Sequence, residues 1–265
     1  MHAYEQVAEQ LAAEIEAGTW RAGTALPTIP ELEHRFGVSR ITIRGGIDEL
    51  EKQGLVYTGY AGGRRGTIVR ARGRTDHYAT DALRPGRPRS AMDAFVENAK
   101  KAGKNASKRF KMQITQAPAD AASRLGLAPD ELVVVRTTLQ LLDGEPWSRE
   151  TSYYPRDLAT AVGLDVPHDI EQGAIRTLAD AGHREVAHLD EVTDEAAGIE
   201  DARDLSVPIG FPLLVQWRTA ATSERITRVT SYLRLGRRNR VIWETGNEAA
   251  LKIIRSARQQ REAAP

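Results

Sequence analysis

The chain has 265 residues, 41% of them apolar and 28% charged, a length that suits two domains with real cores better than one small module. There is no cysteine, which excludes disulfides, thiolate metal sites and cysteine nucleophiles. Formal net charge is +1; no run approaches the ~18 apolar residues of a membrane span and the N-terminus lacks a signal peptide's apolar core, so a cytoplasmic location is expected.

Taken in order, residues 2–17 place Tyr4, Val7, Ala8, Leu11 and Ile15 at helical spacing, and Gly18 supplies a stop. Thr28 is a suitable N-cap for a second helix, with Pro30 in its first turn and Ile29, Leu32 and Phe36 as its apolar stripe. Gly37 turns the chain. Ser39 caps a third helix whose buried face is Ile43, Ile47 and Leu50. Ser39, Arg40, Thr42 and Arg44 fall on its first turns, off that face. A helix N-terminus with unpaired N–H groups suits a phosphate, and Arg can fork onto guanine O6 and N7 in a major groove. The competing reading is a plain cap with solvated arginines. Gly45-Gly46 stands mid-helix, costing roughly 1 kcal/mol per Gly relative to Ala. Either this helix is loosened until DNA orders it, or the glycines permit a close backbone approach.

Next come strand-like residues 55–58 and 67–70, with Gly59, Gly62, Gly63 and Gly66 around Arg64 and Arg65. The glycines suggest a phosphate-cradling loop, but strand rather than helix follows, which fails that motif's context. A wing whose arginines reach a minor groove or backbone fits better. Residues 52–74 contain Lys52, Arg64, Arg65, Arg70, Arg72 and Arg74 and no acid, whereas 190–204 is rich in Asp and Glu. One end of the molecule is therefore expected to meet a polyanion.

Together these residues resemble the winged helix-turn-helix domain of the GntR family of bacterial transcription regulators. The resemblance rests on Gly23-x-x-Leu26-Pro27, Glu31-Leu32, Phe36-Gly37-Val38-Ser39-Arg40-x-Thr42-Ile43-Arg44, Leu50-Glu51-x-x-Gly54-Leu55-Val56 and the wing ending Gly66-Thr67-Ile68-Val69. It implies DNA contacts from Ser39, Arg40, Thr42, Arg44, Arg64, Arg65 and Gly66. Where the family usually has Ser-Glu-Arg this chain has Thr28-Ile29-Pro30, so a familiar DNA-contacting arginine is absent.

Residues 73–89 are polar, basic and punctuated by Pro85-Gly86 and Pro88, and read as a linker after a DNA-binding domain at 1–72. Arg70, Arg72 and Arg74 are placed near phosphates on this reading. Ser90, with Asp93 three residues on, opens a short helix carrying Phe95, Val96 and Ala99. Strands are expected at 110–115, 131–142, 146–154 and 186–192, and a hairpin at 213–221 with 226–235. Asp143-Gly144 is a strong hairpin turn. Helices are expected at 118–125, 155–162, 170–181 and 194–204, and a last one at 248–261 in a C-terminal segment, 247–265. Helices set between antiparallel pairs give an α+β class.

This order, with ADAASRLGL, DGEPWSRETSYYP, GAIRTLADAGH and PLLVQWRT, resembles the UTRA effector domain of the HutC subfamily over 90–246. The resemblance implies an α/β sandwich with a mainly antiparallel, chorismate-lyase-like sheet, a small-molecule pocket and homodimerisation. In sugar-phosphate-sensing relatives two arginines precede the DGEP turn; Thr138 and Gln140 stand there in this chain, offering neutral hydrogen bonds instead of an anion fork. Arg136 shares their strand face and offers a shifted anionic site. Glu150, Thr230, Tyr232 and Arg234 fall where relatives line the pocket, and Ser152 and Tyr154 alternate onto the face of Glu150. For Arg136 and Glu150 the competing reading is a salt bridge across the hairpin.

The six histidines are dispersed, and no metal or cofactor is expected. No nucleophile or acid/base pair stands out, so an enzyme is not expected. The function expected is a dimeric repressor that reads pseudo-palindromic operator DNA under control of a small effector. Two alternatives stay open: a plasmid-type autoregulator without a small ligand, and, because fold does not fix function, a lyase-like enzyme.

Overall fold

In the computed structural model, which describes residues 2–61, 63–71, 75–80, 94–101, 103–128 and 130–263, the chain begins with helices α1 (Ala3–Glu16), α2 (Ile29–Phe36) and α3 (Arg40–Lys52). Val7, Leu11 and Ile15 recur at helical spacing and are buried with Leu32, Ile43, Ile47 and Leu50. Thr28 opens α2 in a reciprocal box, its N–H donating to Glu31 Oε2 at 2.7 Å. Gly37 ends α2 at φ +65°, the left-handed region that a Cβ disfavours. Ser39 then caps α3, Thr42 N–H donating to its Oγ at 3.3 Å. Arg35 is ion-paired with Glu14 and fastens α2 to α1.

Of the two readings of Gly45-Gly46, close approach is the one observed. A Cβ on Gly46 would lie 2.8 Å from Val7 Cγ1, and one on Gly45 3.2 Å from Tyr4 Cβ. The glycines let α1 lie directly on α3.

Strands β1 (Val56–Ala61) and β2 (Arg64–Val69) pair antiparallel from Val56 with Val69 out to Ala61 with Arg64. This ladder is longer than expected: Gly59 and Gly66 face each other within it instead of lying in an open loop. Leu26 N–H and Gly23 N–H donate to Thr67 O and Val69 O, each at 2.8 Å, so the loop before α2 covers the other edge of β2.

The rest of the chain is built on one antiparallel sheet of order β4-β5-β6-β9-β8-β7. Its strands are β4 (Ala106–Gln116), β5 (Leu132–Leu142), β6 (Glu145–Pro155), β7 (Ala187–Ala196), β8 (Pro212–Ala221) and β9 (Ile226–Leu235). Asp143 and Gly144, at φ +53° and +80°, make the tight turn between β5 and β6. One sheet face is apolar. Val133, Val135, Val215, Val229 and Leu233 bury there against α5 (Ala119–Leu125) and α8 (Ile199–Leu205). At one end of the opposite face, α6 (Arg156–Ala161) and α7 (Ala174–Asp180) close over Val134 and Tyr154 with Leu158, Leu164 and Leu178. Helix α4 (Ala94–Lys101) brings Ala99 against Leu142 and Trp147; its expected start at Ser90 and the Pro85–Pro88 stretch lie outside the described residues.

Three expectations are corrected. Thr75–Tyr78 forms a strand, β3, within the stretch 73–89 read as linker; it pairs in parallel with β10 (Asn239–Ile242). Residues 194–196 continue β7, and α8 starts only after Gly198, whose N–H donates to Asp201 Oδ2 at 3.1 Å. Arg70 is not available to phosphates, being only 3% exposed. A final helix, α9 (Glu248–Ala263), is anchored by Arg255 to Glu244 and by Arg258 to Tyr78, and leaves Ile253 and Ile254 exposed.

Candidate DNA-binding and effector surfaces

The first surface is assembled by α3 and the β1–β2 hairpin. Ser39, Arg40 and Arg44 are exposed and Thr42 is half-buried on the first turns of α3, while Ile43, Ile47 and Leu50 take its other side into the core. Ser39 Oγ also lies 2.9 Å from Thr42 Oγ1, so both hydroxyls are held at the helix entrance. Arg64 and Arg65 are exposed near the hairpin tip and Gly66 is half-buried. The ion pairs of this region, Arg35–Glu14, Lys52–Glu49 and Arg70–Glu145, leave Arg40, Arg44, Arg64 and Arg65 out. Four guanidiniums therefore face solvent without a carboxylate among the described residues, an arrangement suited to phosphates and base edges.

The ladder refines how the wing works. Arg65 pairs with Tyr60 and Arg64 with Ala61, so the two arginines project to opposite hairpin faces rather than acting as one unit. Two apolar residues were missed. Ile41 is 82% exposed beside Arg40, and Tyr60 is 72% exposed beside Arg65. Both stand beside the cations of this surface and are available to a partner docked on it, and the β1 alternation gave no signal for Tyr60, because Val56 on the same strand face is buried. A separate groove of about 450 Å³ between α1 and α3 is lined by Tyr4, Glu5, Glu9 and Glu49, an acidic wall that suits no phosphate.

The second surface is the polar face of the sheet. Antiparallel register places Arg136 opposite Ser152, Thr138 opposite Glu150 and Gln140 opposite Ser148. It then places Ser148, Glu150 and Ser152 opposite Arg234, Tyr232 and Thr230. All nine expected effector residues thus share one face, because side chains alternate with period two. They do not share one role. Arg136 Nη1 donates to Leu164 O at 2.8 Å and Val166 O at 3.1 Å, and Nη2 to His168 O at 2.8 Å, while the guanidinium stacks on Phe110. It anchors the 164–168 loop, which corrects both the shifted anionic site and the salt bridge to Glu150. Tyr154 belongs to the apolar cluster under α6, where burial pushes its hydroxyl up to about 12.

The others form a hydrogen-bonded floor. Ser148 Oγ donates to Gln140 Oε1 at 2.6 Å, Ser152 and Thr230 hydroxyls lie 2.8 Å apart, and Thr138 and Glu150 are half-buried between them. Arg234 stacks on Tyr232 and donates to Gln216 Oε1 at 2.9 Å. It is 5% exposed, with no carboxylate in ion-pair distance among the described residues. Burial first, and the charge of Arg218 in addition, hold its pKa down to about 10. Sequence reasoning missed Gln216, Arg218 and Arg228 on this face. Arg218 is paired with Asp190 and Arg228 with Glu185. The signal was the same alternation, Arg228, Thr230, Tyr232 and Arg234, read one position short.

Beyond this face, Arg218 Nη2 donates to Ala79 O at 2.5 Å, bringing the segment after β3 over the sheet. His77 Nε2 lies 2.7 Å from Asn239 Oδ1; burial and then the charge of Arg234 push His77 down to about 4. Among the described residues no group of His, Asp and Glu is arranged to hold a metal ion.

Comparison with known proteins identifies the two domains that carry these surfaces. Residues 3–69 match the family described as bacterial regulatory proteins, gntR family, and residues 102–237 match the UTRA domain. The chain is 26% identical over 222 residues to the HTH-type transcriptional repressor NagR of Bacillus subtilis, covering 82% of this chain and 83% of that protein. It is 38% identical over 53 residues to the histidine utilization repressor of Klebsiella aerogenes, covering 20% of this chain and 22% of that one. Among solved structures, PhnF from Mycobacterium smegmatis superposes with a TM-score of 0.55 at 19% identity, covering 91% of this chain and all of PhnF, a likeness of fold.

Proposed function

The chain belongs to the GntR family of bacterial regulatory proteins and carries a UTRA domain, and from that premise we propose how it divides its work. Residues 1–72 bind operator DNA; residues 90–246 take a small-molecule effector and join two copies into a homodimer in the cytoplasm. The observation that carries the reading is the set of exposed, unpaired cations at the start of α3 and on the hairpin. Helix α3 enters the major groove N-terminus first, with Arg40 and Arg44 on guanine edges and Ser39 and Thr42 on phosphates or base edges. Arg64 or Arg65 enters the neighbouring minor groove, and the Gly66 backbone passes close to a phosphate. Two heads about a two-fold axis read a pseudo-palindrome. The effector lies on the floor formed by Thr138, Gln140, Glu150, Tyr232 and Arg234, and its binding changes operator affinity through the difference in its contacts with the two states.

Selection of genomic fragments bound by the purified protein, followed by a thermal-shift screen of sugar phosphates, organic acids and lactones, tests both halves. The reading expects a pseudo-palindromic fragment and a compound that both stabilises the protein and alters its hold on that fragment. An operator with no such compound supports an autoregulator without small ligand; no selected fragment overturns the reading.

A further inference from the structure

Arg70 ends the DNA-binding hairpin, yet it is buried and reaches out of it. Its Nε donates to Val56 O at 3.2 Å within the head, its Nη1 to Glu145 Oε1 at 2.7 Å, and its Nη2 to the carbonyl of Ser206. Arg238 donates to the same Glu145 oxygen. Each guanidinium lies on an aromatic ring, Arg70 on Tyr57 at 4.7 Å and Arg238 on Trp147 at 4.0 Å. Beside this cluster the Phe211 ring approaches Gly54, where a Cβ would lie 3.2 Å from its Cζ.

The charges in this joint do not balance. Two buried guanidiniums share one buried carboxylate, and Nε and Nη2 of Arg238 have no acceptor among the described residues. Buried ion pairs are weak evidence of stabilisation even when fully satisfied, and this one is not. What it does supply is a defined geometry, with one carboxylate setting the distance between two like charges. Moving that carboxylate leaves the cations unscreened in a poorly solvated place.

The joint sits where the effector floor ends. Glu145 lies three residues before Ser148 on β6, and Arg238 lies in the short turn Gly236–Arg238 after β9, four residues beyond Arg234. Ser148 and Arg234 are directly opposite in the β6–β9 ladder. Strand β6 and the turn that follows β9 therefore meet at the carboxylate that holds Arg70, the side chain that terminates the head.

We infer that Glu145 is a positioning residue for operator binding: through Arg70 it fixes the angle at which the head is presented, and a shift of β6 against β9 resets that angle. The last clause rests on the effector-floor reading above, whereas the positioning itself does not.

The absence of cysteine makes the test clean. Spin labels at Ala13→Cys on α1 and Lys111→Cys on β4, both exposed positions, are read by double electron–electron resonance in the full chain, diluted with unlabelled protein. The parent should give a single narrow distance distribution. Glu145→Gln should broaden or displace it, while Arg238→Met, which retains the Arg70–Glu145 pair, should leave it narrow. Thermal unfolding of each variant verifies that it is folded. A Glu145→Gln distribution matching the parent's, even with a lowered melting temperature, would make Glu145 a structural fastener only and overturn the inference. So would equal broadening in Arg238→Met. Because no operator or effector enters the measurement, it stands or falls separately from the ligand reading.

Discussion

Val7 packs against the backbone of Gly46 so closely that a Cβ on Gly46 would sit 2.8 Å from Val7 Cγ1. Gly46→Ala should therefore lower the stability of the head although Ala is the better helix former. Overpacking costs about 1–3 kcal/mol, against roughly 1 kcal/mol of helix propensity. Gly45→Ala meets Tyr4 Cβ at 3.2 Å, a looser approach than at Gly46, and should cost less than Gly46→Ala. Denaturant midpoints check both; a Gly46→Ala protein more stable than the parent would contradict this packing.

Acid should attack the sheet through Glu185. Burial pushes this carboxyl up, but the charge of Arg228 and hydrogen bonds from His188 and Arg228 outweigh it and hold it at about 2. Unfolded, the same carboxyl takes up a proton near 4.5. Its contribution, about 3 kcal/mol by linkage, is complete above pH 4.5 and disappears as pH falls to about 2. Glu185→Gln strands Arg228 in the interior and should cost about 3–5 kcal/mol at neutral pH. The deficit should shrink on acidification, as urea titrations at several pH values would show; a constant deficit would refute the assignment.

His77 should remain neutral far below the usual imidazole range. Asn239 donates its Nδ2–H to Leu235 O at 2.9 Å, which turns Oδ1 toward His77 and places the proton on the imidazole Nε2. With a folded value near 4 against 6.5 unfolded, the unfolded chain binds the proton first. The stabilising contribution is complete above pH 6.5 and lost toward pH 4. An NMR titration of the His77 ring should give a midpoint near 4; an ordinary or raised midpoint would show that the β3–β10 ladder does not bury it.

Arg234 and Arg228 are both deeply buried cations of one strand, but among the described residues only Arg228 is ion-paired with a carboxylate. Arg234→Met should therefore be neutral or stabilising by about 1 kcal/mol or more, as expected when a buried cation without an ion-pair partner among the described residues gives way to an apolar side chain, while Arg228→Met should destabilise. Thermal melting of the two variants decides, and a drop in both would show that Arg234, like Arg228, holds the fold.

Local rules made much of the fold legible. The Thr28 and Ser39 caps, the Asp143-Gly144 turn and the period-two pattern of β8 and β9 depend on near neighbours, and each element formed where its residues require it. What escaped were long-range events. The β3–β10 pair joins the two ends of the effector half, with no pattern in residues 75–78 to announce a partner. Arg70 looks like another phosphate ligand in a basic run and differs only because Glu145 waits for it. Register alone gathered the nine expected effector residues on one face, but only the contacts separate Arg136 and Tyr154, which hold structure, from Thr138, Glu150 and Arg234, which line the polar floor.

Sequence reading by the cations that open α3 can be tested most directly. Arg40→Ala and Arg44→Ala should each weaken binding to the selected operator by roughly 1–3 kcal/mol if they contact base edges. Loss of a phosphate contact at Arg64 or Arg65 should instead reduce the salt slope by about 1. Fluorescence anisotropy titrations of the full chain on operator and scrambled duplexes, repeated across salt concentrations, distinguish the two. The double variant Arg40→Ala/Arg44→Ala should bind operator no better than scrambled DNA; retention of the parent's preference would show that other residues read the sequence.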